Sequence, residues 1–269
     1  PFIMEFETTF RQNCPKQSEE RKASIVSAMT KLERVLRTAK FEETDRVPLY
    51  DIFQNDEIIQ HYSGMFPTPE KGIRPVALAV GRVLDMTRMV SAPNCPTTIH
   101  HENGFVTQVE RWTSWITSRP FRDLASLKAW IKEELCRLRK RVYSDAERDQ
   151  LFAHIDELRA LFAEADPTGR QDPTVLVIES GVGLTEMYHT TGMALFTELI
   201  FEEPTLTEEW LETRVETEIR RVRCIADPRY IPIALTYDDI AHKTGTLFSA
   251  EWLRQVWVPR LKRLVDAWH

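Results

Sequence analysis

The strongest strand signal in the chain is Pro173-Thr174-Val175-Leu176-Val177-Ile178-Glu179. A proline opens this stretch, four apolar residues follow, and a glutamate closes it. Such a short, near-continuous apolar run is typical of a strand buried on both faces, and strands of that kind belong mostly to parallel sheets. The sequence therefore predicts a parallel sheet, with Glu179 at the carboxyl end of one strand.

Three further segments have the composition of strands, and helical patterns separate them. The strands are predicted at 47–51, 86–91 and 231–236. The helices are predicted at 55–63, 70–85, 123–141, 144–165 and 184–202, and from a capping box at Thr205 and Glu208 onward. Strands that alternate with helices in this way predict an α/β fold, either doubly wound or a barrel.

Two regions lie outside this alternation. An amphipathic helix is predicted from Ser18 onward, which makes residues 1–46 a helical lead. Residues 97–117 are rich in Val, Thr and Trp, and the Asn103-Gly104 pair predicts a β-hairpin turn within them. We therefore expect a second unit at 47–269, interrupted at about 97–165 by this hairpin and a helical insertion.

Composition limits the classes of function. The 269 residues are 42% hydrophobic and carry a net charge of −6, which disfavours nucleic acid and anionic membrane surfaces as partners. The sequence has no apolar run long enough for a spanning helix, and its first residues lack the order of a secretory signal, so we expect a cytoplasmic protein. The four cysteines lie far apart, which favours free thiols over a zinc finger.

Ligands of α/β folds bind at the carboxyl ends of the strands, so the residues after each strand are the candidates for a site. Paired carboxylates there can hold a proton, bind a metal or fix a cation. The alternative is that one aspartate caps a turn and the other lies in water. The candidates after the strands are Asp51, Gln54, Ser91, Glu179, Tyr188, His189, Tyr237, Asp238 and Asp239, and Phe53 is a further candidate for binding substrate.

Two further motifs resemble a dinucleotide-binding turn and a metal site, but the details of each argue against that function. The stretch Gly181-Val182-Gly183 follows a strand as a dinucleotide fingerprint does, yet Glu186 stands where the third glycine is needed. We interpret it as a tight turn that borders a pocket. His100 and His101 are adjacent in a predicted strand, so their side chains point to opposite faces and favour two surface residues over a metal site.

Several motifs together resemble the uroporphyrinogen decarboxylase-like superfamily. Glu-Arg-Val-Leu-Arg at 33–37 and Asp-Arg-Val-Pro at 45–48 resemble its opening, whereas Tyr-Asp-Asp at 237–239, with 247–254 and 259–264, resembles its middle. The resemblance implies a (β/α)8 TIM barrel with an N-terminal helical extension and a deep cleft at its carboxyl end. The sequence would then cover only about the first half of the barrel strands.

The superfamily contains decarboxylases of a tetrapyrrole and methyltransferases that use a corrinoid. The decarboxylases carry an arginine-rich segment after the first strand, where this sequence has Phe53 and Glu57 in place of the two arginines. Their catalytic aspartate after the second strand is replaced by Ser91-Ala92-Pro93. A substrate with many carboxylates needs positive charge at this place, and the sequence has a neutral and an acidic residue there instead. The methyltransferase branch is therefore the better match, and the decarboxylase is the alternative.

The methyltransferase resemblance implies transfer of a methyl group between a small methylated donor and a corrinoid on a carrier protein, or a thiol. Asp238 and Asp239 would orient or protonate the leaving heteroatom, with Tyr237 and His189 as hydrogen-bond partners. The remaining candidates would bind substrate. Zinc in that branch is held by His and Cys from the second half of the barrel, so no metal ligand is assigned. A further alternative is a catalytically idle barrel that binds a corrinoid carrier. The protein could also form a homodimer, and the sequence does not decide this.

Overall fold

The computed structural model describes residues 29–269. The predicted start of the first helix at Ser18, and most of the lead at 1–46, lie outside the described residues. The helices are α1 (Lys31–Ala39), α2 (Asp56–Ser63), α3 (Arg74–Val83), α4 (Leu124–Lys140), α5 (Asp145–Glu164), α6 (Leu184–Thr191), α7 (Met193–Glu202), α8 (Pro204–Ile225), α9 (Ala250–Trp252) and α10 (Val258–Trp268), with a 3-10 turn at Pro69–Lys71 and a π-helical segment at Leu253–Trp257.

The strands are short. They are β1 (Met86–Thr87), β2 (Thr97–His100), β3 (Val106–Val109), β4 (Ser114–Ser118), β5 (Val175–Leu176), β6 (Ile178–Ser180), β7 (Ala234–Thr236), β8 (Ala241–His242) and β9 (Gly245–Thr246).

The four predicted strand segments pair in parallel and in chain order. Tyr50 forms a parallel bridge with Met86, β1 pairs with β5, and β6 pairs with β7. The prediction of an α/β fold with these segments adjacent and parallel is confirmed, although residues 47–51 contribute a single bridge and the segments 86–91 and 231–236 are strands only at Met86–Thr87 and Ala234–Thr236. The paired stretches are small and leave the sheet unclosed within residues 29–269, so the described chain does not form a closed barrel.

Four helices pack next to one another in chain order along the sheet. Helix α3 contacts α5, α5 contacts α8, and α8 contacts α10. Apolar side chains of the strands, Leu176 and Ile178, are buried in the same core as Val80, Phe162 and Ile225 of these helices. Helices on one face are what right-handed crossovers between neighbouring parallel strands produce. No helix within residues 29–269 is both long and apolar enough to cross a membrane.

The predicted hairpin is a three-stranded antiparallel sheet in the order β2, β3, β4. Gly104 has a φ of +82°, as the predicted Asn-Gly turn requires. A second turn divides the longer arm, because Glu110 N–H donates to Thr113 O. Within this turn Trp112 Nε1 donates to Asp56 Oδ1 at 2.9 Å, which fastens the sheet to helix α2. This tertiary contact is why the apolar pattern alone could not locate the second turn.

Two helix predictions need correction. The predicted helix at 184–202 is divided into α6 and α7 at Gly192, whose φ of +82° ends the first helix. Helix α8 begins at Pro204 with Glu203 as its N-cap, so Thr205 lies inside the helix and does not cap it. A proline in the first turn costs the helix no hydrogen bond, and this preference prevails over the capping-box pattern.

The two N-terminal motifs build a buried ion network at the amino end of the sheet. Asp85, fully buried just before β1, accepts hydrogen bonds from Arg34 at 2.6 Å and from Arg46 at 2.5 and 2.8 Å. Leu49 N–H donates to the same carboxylate. Arg34 also forms a two-point contact with Asp45, which lowers the pKa of that carboxyl to about 2. Helix α1, the first strand segment and β1 are therefore joined through Asp85.

Replacing Arg34 by Met removes one cation from this buried network and leaves two carboxylates less compensated. We expect the free energy of unfolding to fall by about 3 kcal/mol, because breaking a buried ion pair leaves a charge without its partner. Arg37→Met on the same helix is the control, since Arg37 pairs only with exposed partners and its loss should cost under about 0.5 kcal/mol. Urea denaturation of both variants tests this, and equal losses would contradict it.

Candidate functional site

Asp238 organises the carboxyl edge of the sheet. Its half-buried carboxylate accepts hydrogen bonds from Val182 N–H at 3.1 Å, from Thr185 N–H at 2.9 Å and from Trp257 Nε1 at 2.9 Å. These donors come from the turn after β6, the first turn of α6 and the π-helical segment. Burial raises the pKa of Asp238, while the hydrogen bonds oppose that shift. The carboxylate therefore joins three elements to the end of β7.

Asp239 takes part in the same edge through its backbone. Its N–H donates to Thr185 Oγ1 at 2.6 Å, and its carbonyl accepts from Tyr188 OH at 2.8 Å. The residue itself is exposed. Asp238 thus holds a turn and Asp239 lies at the surface, as in the alternative in which one aspartate caps a turn and the other lies in water. A catalytic role for Asp238 or Asp239 stays a prediction.

Tyr237 lies between the sheet and helix α6. Its hydroxyl donates to Glu186 Oε1 at 2.8 Å, and its N–H donates to Ser180 O at 3.0 Å. Burial, followed by the hydrogen bond to Glu186, raises the pKa of Tyr237 well above its ordinary value. The phenol is therefore a hydrogen-bond donor at neutral pH and not a base.

The turn after β6 borders a cavity of about 240 Å³, as predicted for the Gly-Val-Gly stretch. A Cβ at Gly181 would lie 2.7 Å from Tyr237 O. Gly183 has a φ of +99°, and a Cβ there would lie 2.6 Å from Arg214 Nε. Only glycine fits both positions. Charged and aromatic residues line the cavity: Tyr143, Glu179, Glu186, Arg214, Glu218, Arg221 and Tyr237.

An ion pair within helix α8, together with hydrogen bonds from that pair to the strand end, lines one side of this cavity. Arg221 binds Glu218 at 2.5 Å and donates to Glu179 O at 2.9 Å. Ser180 Oγ donates to Glu218 at 2.7 Å. Sequence reasoning missed Glu218 and Arg221 as site residues, together with Arg214. The available signal was their spacing of four and three residues, which places all three on one face of a helix.

A second group of polar residues lies where three neighbouring strand segments end. Glu179 pairs with Arg88 at 3.5 Å. Burial and then the charge of Glu179 raise the pKa of Tyr50. All three residues are half-buried. We call Tyr50, Arg88 and Glu179 the strand-end cluster. Sequence reasoning identified Glu179 but missed Tyr50 and Arg88.

The structure does not gather the remaining predicted residues at one point. Asp51, Phe53 and Gln54 line a separate cavity of about 320 Å³ beside the first strand segment. Tyr188 is buried with its hydroxyl on Asp239, as described above. His189 is exposed with its ring edge-on to Tyr188 at 4.8 Å between centroids. Asp51 lines this cavity and Asp238 does not, so the two carboxylates lie in different surroundings.

The described part of the chain offers no set of three His, Cys, Asp or Glu side chains that could share a metal ion. His100 and His101 are exposed, and His101 Nε2 lies 2.9 Å from Thr107 Oγ1. Cys95, Cys136 and Cys224 are free thiols as predicted, whereas Cys14 lies outside the described residues.

Replacing Trp257 by Phe removes a hydrogen bond that lowers the pKa of Asp238, so we expect this pKa to rise further. The folded pKa already lies above the ordinary value of about 3.9. The contribution of Asp238 to folding therefore decreases as the pH rises from that value to the folded pKa, and the variant should extend this interval upward. Carboxyl ¹³C NMR titration measures it.

Trp252→Phe is the matched control, because Trp252 packs on Phe248 and its substitution leaves the bond to Asp238 intact. An Asp238 pKa that is equal in the two variants would contradict the assignment of Trp257 as a partner that stabilises the charged form.

Comparison with known proteins gives one solved structure to report and no sequence family. No family model matches the chain, and no curated protein matches it. The solved structure is a methyltransferase from Methanosarcina mazei, with a TM-score of 0.53 and 18% sequence identity. The match covers 89% of this chain and 67% of that protein. At this identity the likeness shows a shared α/β fold.

Proposed function

We propose that the chain is a uroporphyrinogen decarboxylase-like methyltransferase, which moves a methyl group between a small methylated donor and a corrinoid carrier protein or a thiol. The observation that carries the proposal is the strand-end cluster, three polar residues at the carboxyl ends of consecutive parallel strands. Sites of α/β enzymes lie at this edge. The fold shared with a protein named methyltransferase supports the same reaction class.

The order of the strands supports a (β/α)8 barrel as the finer fold. A doubly wound sheet reverses its strand order at a switch point, whereas a barrel continues in chain order with its helices on one face. The four strand segments here follow one another without a reversal. The contacts of α3, α5, α8 and α10 in succession match the outer ring of helices that a barrel needs.

The pairing of charges argues against the decarboxylase alternative. Arg88 is paired with Glu179, Arg221 with Glu218, and Arg214 lies 4.0 Å from Glu186. Arginines already neutralised by glutamates are poor partners for a substrate that carries many carboxylates. A small neutral or cationic methyl donor suits this edge better.

Each residue then has a limited role. Glu179 would accept a hydrogen bond from the donor molecule or balance a positive charge on it, with Tyr50 beside it. Tyr237 would accept a hydrogen bond through its phenol oxygen, because its proton is donated to Glu186. Asp238 would hold the turn that positions Tyr237. The cavity lined by Asp51, Phe53 and Gln54 would extend the binding surface beside the first strand segment.

The implied cofactors fit to different degrees. The cavity lined by Arg88 and Glu179 has a volume of about 390 Å³, which is too small for a corrinoid, so the corrinoid would stay on its carrier and meet the site at its mouth. When bound there it would supply a methyl acceptor or donor. The described residues do not fit zinc, because they hold no group of three suitable ligands, and no step is assigned to it.

The test is methyl transfer from a panel of methyl ethers and methylamines to reduced cobalamin, followed by the absorbance of the methylated product. We expect transfer from at least one donor. Glu179→Gln should lower its rate roughly 100-fold or more, because the substitution keeps the shape and removes the charge. Glu198→Gln, at an exposed position of helix α7, is the control and should leave the rate unchanged.

Two outcomes would contradict the proposal. Conversion of uroporphyrinogen to coproporphyrinogen would favour the decarboxylase. Binding to a corrinoid carrier without transfer from any donor would favour the idle barrel.

A further inference from the structure

The parallel sheet has two free edges, one at β7 and one at the first strand segment, 47–51. Strand β7 pairs with β6 alone, and the first segment bridges to β1 alone through Tyr50. Among residues 29–269 no further strand pairs with either edge. An unpaired edge of a sheet is a template for a strand of another chain. The two edges are therefore candidate surfaces for a partner.

Apolar side chains are exposed at both edges. Val47 is 84% exposed and Leu49 is 46% exposed in the first segment. At the other edge Leu235 of β7 is 39% exposed, and Val258 at the start of α10 is 44% exposed. Residues of parallel strands are usually buried, as Leu176 of β5 is here. Exposed apolar groups at both ends of the sheet therefore indicate that a partner covers them.

The geometry of the sheet determines which partner can pair with both edges. Its four strand segments run parallel in chain order, and their helices follow one another in the same order. A barrel of this architecture closes with eight strands. Two copies related by a two-fold axis along the barrel supply four strands each. This axis places β7 of each copy parallel to the segment 47–51 of the other, so both edges of both copies are paired.

Charges at the carboxyl ends of the two edges are complementary. Asp51, at the end of the first segment, and Glu57, in the first turn of α2, are exposed and form no ion pair within residues 29–269. Lys243, in the turn between β8 and β9, is likewise exposed and unpaired in this part of the chain. Parallel pairing brings the two carboxyl ends to the same level, so Lys243 of one copy faces the acidic residues of the other.

We propose that a second copy of this chain closes the barrel, with β7 of each copy paired with the segment 47–51 of the other. The site is then shared between the copies. Within one copy Asp51 and Asp238 lie in different surroundings, whereas in the dimer Asp51 of one copy ends the strand beside β7 of the other. The inference rests on the barrel proposed above, but it does not depend on the methyl-transfer reaction.

The test is the mass of the whole chain in solution, measured by sedimentation velocity over a series of concentrations. We expect a dimer without larger species, because a closed barrel has no free edge. A monomer at every concentration would overturn the proposal and leave the edges to a different polypeptide. Polymers that grow with concentration would also overturn it, since they show edge pairing without closure. The measurement needs no methyl donor, so a dimer without methyl transfer would contradict the proposed reaction alone.

A variant at the edge of β7 locates the contact. Leu235→Lys should weaken dimerisation at least about tenfold, because the second copy would bury the new charge. Leu32→Lys is the matched control, since Leu32 is 40% exposed but lies on α1, which packs beside β5 and away from both edges. Circular dichroism verifies that both variants are folded. Equal dissociation constants of the two folded variants would overturn the proposal.

An exchange of charges gives a readout that does not depend on Leu235. Lys243→Glu places like charges opposite each other and should weaken the dimer about tenfold over its two identical contacts. Adding Asp51→Lys in the same chain reverses both signs and should restore most of the affinity. A double variant that is no tighter than Lys243→Glu alone would contradict the pairing of these two edges.

Discussion

The carboxylate of Asp238 accepts three N–H hydrogen bonds, and the carboxyl edge of the sheet is arranged around them. Without this acceptor the amides of Val182 and Thr185 and the indole of Trp257 would lose a partner at a half-buried position, each at a cost of about 1–3 kcal/mol. The same carboxylate is expensive to bury, which is why its pKa is raised. The carboxyl edge thus depends on the charged carboxylate of Asp238, and its three hydrogen bonds offset the cost of burying that charge.

The amino edge depends on a second buried carboxylate of a different kind. Asp85 is neutralised by two arginines, whereas Asp238 is held by neutral donors. An ion network of this type fixes the ends of β1 and the first strand segment firmly. Neutral donors leave the charge of Asp238 without a cation, and beside it burial and the hydrogen bond to Glu186 raise the pKa of Tyr237. The amino end of the sheet is thus fixed by paired charges, whereas the carboxyl end holds groups with shifted pKa values, which are common at ligand-binding sites.

Much of the fold could be predicted because it follows from local pattern. The apolar run at 173–179 identified a buried strand, and Asn103-Gly104 identified a turn, since both signals act within a few residues. The division of α6 from α7 could not be predicted, because Gly192 is tolerated inside helices as well as at their ends. The second turn of the β2 to β4 sheet depends on Asp56, more than fifty residues away in the chain.

The candidate site was harder to predict than the strands. Position after a strand identified Glu179 and Tyr237, but nothing local pairs Tyr237 with Glu186 or Glu179 with Arg88. The acidic residues of the sequence suggested one cleft, whereas the structure separates Asp51 from Asp238. The sequence indicated Asp238 as a site residue because it is a carboxylate at a strand end, and in the structure this carboxylate holds the turn after β6. The order of strands and helices predicts which edge of the sheet holds the site, whereas tertiary contacts decide which side chains lie close together there.

Hydrogen exchange of the Val182 and Thr185 amides tests most directly whether Asp238 holds the carboxyl edge of the sheet together. In the wild type these two amides should be protected, because Asp238 accepts both. Asp238→Ala should accelerate their exchange by about tenfold or more, with the amide of Val175 at the other end of the sheet unchanged. Asp239→Ala should have no such effect. Unchanged exchange at Val182 and Thr185 in Asp238→Ala would contradict the account.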